Sequence, residues 1–273
     1  MRFGVSLGRL NPAFFAPVTE AADEMGFDSV WLPEHLVLPA AMAGSPFDVA
    51  AGDDAHPPVP PTTPIFDAAA YLSVLAGRTS QIRLGTYVYL LGIRHPFVAA
   101  RAFATLDIVS AGRAELGVGA GWLRAEWEAV GLDFTTRGRR LDEAIGVCRR
   151  LWTEPEVEHH GEFFDFDPVC FEPKPVQQPI PILIGGESEP ALRRAERLGD
   201  GWLGMGHTPE SVAPIAARLK RDGFTITIGA DVRTDDDVAR FDAVGVDRII
   251  VAPWRRSPDA IDGLQTFSSN LLT

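Results

Sequence analysis

The chain has only two cysteines in 273 residues, Cys148 and Cys170. Two thiols exclude a disulfide framework, and a reducing cytoplasm is the expected compartment. No cysteine–histidine cluster has zinc spacing, so no metal site is expected. No apolar run approaches the ~18–20 residues of a membrane span. The opening Met1-Arg2-Phe3-Gly4-Val5 is strand-like and too short for a signal peptide. Positive charge is in deficit, with 25 Lys and Arg against 37 Asp and Glu and a net charge of −12. Such a surface repels phosphate backbones, so nucleic acid is not an expected partner. Gly-x-Ser-x-Gly, the Walker loop and His-Glu-x-x-His are also missing, and spacing assembles no hydrolytic triad. A small-molecule substrate is the expected partner, with no nucleic acid and no membrane.

What is present is a large hydrophobic share, 46%, and a repeated β–α order. Strands are expected to start at Phe3, Ser29, Ile82, Ala114, Ile182, Gly201, Phe224 and Arg248, nearly all followed by helical spacing. The third is expected to run from Ile82 to Tyr89. Strict alternation predicts a parallel sheet. Eight units in a chain of this length predict an α/β fold, a closed (β/α)8 TIM barrel in one domain, 1–273. Two extras are expected. One is a long loop after strand two (37–64), either a lid or a surface insertion. The other is an insertion over 156–181, opening with a hairpin that turns at Gly161.

In such a barrel the chemistry lies at the C-terminal strand ends. These are Leu7-Gly8, Glu34-His35, Thr86 to Tyr89, Gly117 to Trp122, Gly185 to Ser188, and Trp254-Arg255. Gly185-Gly186-Glu187-Ser188 ends a strand and opens a helix, which suits a phosphate or simply a tight turn. Gly117-Val118-Gly119-Ala120-Gly121 fails the Rossmann fingerprint, because Trp122 stands where the third glycine is required. In a barrel loop it would let a flat ring lie on backbone with Trp122 as a wall. His35 either relays a proton near neutral pH or fixes its loop by hydrogen bonding. His95 is expected to start a helix. His159, His160, Glu143, Arg149, Arg150, Arg193 and Arg194 are expected to be solvated. Glycine-lined strand ends with few polar catalytic groups suit a cofactor enzyme.

The motifs FGVSL at Phe3, GFDSVWLPEHL from Gly26 and IRLGTYV with RHP from Ile82 form a familiar order. AGRAELGVGAGWLRAEWEAVG from Ala111, FEPKPVQQPIPILIGG from Phe171 and RLGDGWL from Arg197 continue it. The chain resembles the luciferase-like monooxygenase superfamily, and within it the coenzyme F420-dependent oxidoreductases. The resemblance implies a TIM barrel with an insertion before strand five, and coenzyme F420 as cofactor, with FMN as the alternative. It implies a ring seated over strand three at a non-proline cis peptide, Tyr87–Val88, and a phosphate turn at Gly185-Gly186. His35 matches a pocket histidine near the reactive carbon. Leu7, Glu34, His35, Thr86, Tyr87, Val88, Gly119, Gly121, Trp122, Gly185, Gly186, Glu187 and Ser188 are the candidate cofactor-binding residues, and His35 is the candidate catalytic residue. The family's sugar-phosphate dehydrogenases carry a catalytic Glu where Trp122 stands here, so an apolar or aromatic substrate is expected. A homodimer is also implied. Three readings remain: an F420-dependent hydride transferase, an FMN-dependent monooxygenase, and a non-catalytic cofactor-binding protein.

Overall fold

Short strands rich in branched and aromatic residues alternate with helices in the computed structural model, which describes residues 1–8, 10–40 and 60–272. The strands are β1 (Arg2–Ser6), β2 (Ser29–Leu32), β3 (Arg83–Thr86), β4 (Ala114–Val118), β5 (Val157–His160), β6 (Asp165–Val169), β7 (Ile182–Gly185), β8 (Gly201–Met205), β9 (Thr225–Gly229) and β10 (Arg248–Val251). The helices are α1 (Phe15–Glu24), α2 (Ala68–Ala76), α3 (Pro96–Val109), α4 (Arg124–Ala129), α5 (Arg137–Thr153), α6 (Glu189–Leu198), α7 (Pro209–Leu219), α8 (Asp235–Ala243) and α9 (Ala260–Leu271). Eight strands close into a parallel barrel in the order β1-β10-β9-β8-β7-β4-β3-β2, the expected (β/α)8 architecture. The expected loop over 37–64 lies in part outside the described residues.

Alternation along each strand separates two cores. Phe3, Val5 and Leu7, with Val30, Leu32 and Leu84, join the large shell between barrel and helices. Trp31, Leu183, Leu203 and Ile250 form a smaller cluster with Tyr87 and Val88 packed on it. Near the N-terminal ends of the strands, Glu115 meets both Arg83 and Arg248, with 2.7 Å from Arg248 Nη1 to Glu115 Oε2. Arg248 Nε also lies 2.9 Å from Asp28 Oδ2. Burial by itself would lift the Glu115 carboxyl, but Arg248 and then Arg83 outweigh it and hold it below the usual carboxylate range.

Three expectations change. The third strand ends at Thr86, not Tyr89. The Tyr87 N–H still bonds Leu32 O at 2.9 Å, but the Tyr87–Val88 peptide is cis, and the Tyr89 N–H reaches across to Gly117 O at 2.7 Å. The ladder therefore resumes only as a single bridge, Tyr89 to Val118. The hairpin β5–β6 precedes the fifth barrel strand as expected, but Glu143 and His159 are not solvated. The Glu143 carboxylate accepts the Phe163 and Phe164 N–H groups of the turn and lies 3.0 Å from His159 Nε2, because the turn's amides need an acceptor. Arg194 is also buried, between Asp142 and Gly138 O. Cys148 is a fully buried thiol whose pKa burial raises to about 12.

Candidate active site

The loop leaving β2 begins Pro33-Glu34-His35, and its two ionisable side chains turn to different partners. Glu34 is buried against Arg94 and also accepts the Leu90 N–H at 3.3 Å. The Arg94 guanidinium lies 4.4 Å over the Tyr89 ring. Burial pushes the Glu34 carboxyl up to about 7, against the opposing pull of Arg94. This pair ties the β2 loop to the segment after β3.

His35 is held differently. Its Nδ1 lies 2.8 Å from Glu126 Oε2, and its ring meets the Trp122 ring edge-on at 6.0 Å. Glu126 sits in the first turn of α4, a favourable place for a carboxylate. It is only 1% exposed, while the His35 side chain keeps 19% exposure. Glu126 Oε1 accepts the Leu36 and Val37 N–H groups at 2.6 and 3.3 Å. No motif in the sequence singles out Glu126. Its signal was a glutamate just inside a helix that opens from the glycine loop, and that alone names no partner 91 positions away.

The bulged segment after β3 makes a second grouping. Val88 stands between Gly119 and Gly185, where an added Cβ would lie 2.5 and 2.6 Å from its methyl groups. Both positions must therefore be glycine if Val88 is to sit there. Tyr87 reaches across the barrel and donates its hydroxyl to Gly204 O at 2.5 Å, and burial raises its pKa. Thr86 donates to Gly117 O at 2.8 Å and is fully buried, so its hydroxyl couples β3 to β4. Leu7 puts its side chain in the outer core, which leaves only its backbone near the mouth. Gly121, at φ +79°, lies against Trp127.

The third grouping is the β7–α6 turn. Gly186 has φ +117°, a conformation that requires glycine. Trp202 Nε1 donates to its carbonyl at 3.0 Å. Ser188 caps α6 without spending its hydroxyl on the cap. Glu187 accepts the Met205 N–H at 2.9 Å and lies 2.7 Å from His207 Nε2. A helix N-terminus behind a glycine turn can take a phosphate, provided His207 and Met205 hold Glu187 aside. His95, as expected, is a helix cap: its Nδ1 accepts the Phe97 N–H.

A protein family described as luciferase-like monooxygenase matches residues 3–244. An uncharacterized protein of Mycobacterium tuberculosis is 32% identical over 290 residues, covering 99% of this chain and 96% of its own. An F420-dependent glucose-6-phosphate dehydrogenase of Segniliparus rotundus is 31% identical over 262 residues, 94% of this chain and 69% of its own. A solved F420-dependent secondary alcohol dehydrogenase, in complex with an F420-acetone adduct, is similar in fold. Its TM-score is 0.78 at 18% identity, over 99% of this chain and 98% of that one. No helix among the described residues is long and apolar enough to cross a membrane. The closed barrel and the family match over residues 3–244 agree: the chain is an oxidoreductase and belongs to the luciferase-like monooxygenase family.

Proposed function

We propose that the chain is a coenzyme F420-dependent oxidoreductase that moves a hydride between C5 of the deazaflavin and a small uncharged organic substrate. The carrying observation is the imidazole of His35, fixed by a buried carboxylate and walled by Trp122 at the C-terminal mouth. The F420-dependent relative supports the cofactor. The chain's own residues fit such a group. Val88, backed by Gly119 and Gly185, offers a surface for a flat ring, with Gly121 and Trp122 beside it. Gly185, Gly186 and Ser188 offer the phosphate turn at the start of α6. When bound, the deazaflavin supplies two-electron hydride chemistry that the side chains lack. His35 then holds or moves the proton at its Nε2, and Trp122 excludes water beside it.

Charge supports an uncharged substrate. From Leu10 to Gly77 the sequence contains no lysine or arginine. Arg94, at the same mouth, is already paired with Glu34. A sugar phosphate would have to draw its cation from other strand ends, where Arg9 and Arg255 stand in the sequence. The barrel with its hairpin would act as one domain, and two copies would form the working dimer.

The test is a fluorescence titration with F420 and, in parallel, FMN. Micromolar F420 binding with weak FMN binding, followed by turnover, supports the proposal. The reverse preference, with oxygen uptake, supports an FMN-dependent monooxygenase. Binding without turnover of any carbonyl or alcohol supports a carrier.

A further inference from the structure

Among the described residues Glu126 makes three hydrogen-bond contacts, and together they dictate a proton's position. An ionised carboxylate only accepts hydrogen bonds. Oε1 already takes the Leu36 and Val37 N–H groups, and Oε2 faces His35 Nδ1 at 2.8 Å. The neutral imidazole must then carry its hydrogen on Nδ1, which leaves Nε2 as a bare lone pair. Glu126 is the charged side chain that the described residues set against this ring. We propose that Glu126 is a positioning residue: it locks His35 in the Nδ1–H tautomer and makes Nε2 the proton acceptor of the site. This rests on the reading of His35 as the proton-handling group of the oxidoreductase.

A second role comes with the first. The Leu36 and Val37 amides are the first of the long loop after β2, so one buried carboxylate both orients the imidazole and anchors the start of that loop. Glu126→Gln separates the two roles. Glutamine has one carbonyl oxygen, and two loop amides compete for it. With that oxygen kept by Leu36 and Val37, the glutamine NH₂ faces Nδ1. Nδ1 becomes an acceptor, and the proton moves to Nε2. The loop stays anchored and the tautomer inverts.

The experiment is ¹⁵N–¹H NMR of the imidazole nitrogens in the cofactor-free protein, with the His35 signals assigned by difference from His35→Asn. The expected result is a protonated Nδ1 and unprotonated Nε2 in the wild type, inverted in Glu126→Gln. A wild-type Nε2–H tautomer overturns the proposal. So does an unchanged tautomer in a folded Glu126→Gln. If that variant does not fold, the wild-type spectrum still decides. In the F420-loaded enzyme, Glu126→Gln is expected to lower kcat about 100-fold or more, with KM and the F420 Kd within about twofold. A purely structural Glu126 would instead lower the melting temperature and raise KM. Failure of F420 to bind the wild type would remove the cofactor reading and leave the tautomer result standing.

Discussion

Two buried carboxylates, Glu115 and Glu34, lie toward opposite mouths of the barrel and titrate in opposite directions. Glu115 faces two guanidinium groups, Arg83 and Arg248, and its pKa is lowered although it is fully buried. Glu34 faces one, Arg94, and burial wins, lifting it to about 7. One counter-charge does not repay the desolvation of a carboxylate here, and two do. At the N-terminal mouth, then, charge closes on itself as structure. At the C-terminal mouth a third carboxylate, Glu126, meets the Nδ1 edge of the His35 imidazole, and on the proposed function the other edge handles the proton.

The strongest way to break this contrast is Arg248→Met, which keeps most of the packing on Trp31 and strips Glu115 of one partner. A loss of about 3–5 kcal/mol in folding stability is expected from a buried carboxylate left with Arg83 as its single counter-charge, read by urea unfolding. The chemistry at the far mouth should be unaffected wherever the protein is folded. His35→Ala should do the reverse. It is expected to lower kcat about 10²–10⁴-fold while costing about 1–3 kcal/mol of stability, because Glu126 Oε2 loses the imidazole N–H, measured by steady-state kinetics beside the same unfolding curves. If His35→Ala destabilises as much as Arg248→Met, the two mouths do not divide structure from chemistry.

Smaller effects sharpen the comparison. Gly119→Ala puts a Cβ 2.5 Å from a Val88 methyl, and overpacking of this kind costs about 1–3 kcal/mol. Adding Val88→Ala should recover most of that loss, and a double-mutant cycle measures the recovery. The last effect is a slope. A raised folded pKa means that native Glu34 binds its proton more tightly than the unfolded chain does. Its contribution is therefore full below the unfolded value of 4.5 and is lost as pH rises through about 7. Glu34→Gln should remove that decline from a series of melting curves across this window. Glu115 has the opposite sign: its contribution is present above the unfolded value and is lost as pH falls through its lower folded value.

The βα alternation, the hairpin near Gly161, the His95 cap, the buried Cys148 and the candidate glycine turns were legible from residue order alone. Each rests on a pattern a few residues long: branched residues in strands, helical spacing, glycine where φ is positive. The end of β3 was misplaced because Tyr87, Val88 and Tyr89 have high strand propensity. Their backbone is instead diverted by contacts with β2 and β4. Glu143 and His159 looked like surface charges because nothing local shows that a hairpin turn will need a carboxylate from α5. The same limit hid the pairs that define the two mouths. Arg248 and Glu115 are 133 positions apart, and Glu126 and His35 are 91 apart. Local propensity acts within a turn or a strand, so it carried the elements. Which charges end up sharing a buried site depends on barrel closure, and only the closed barrel brings those side chains together.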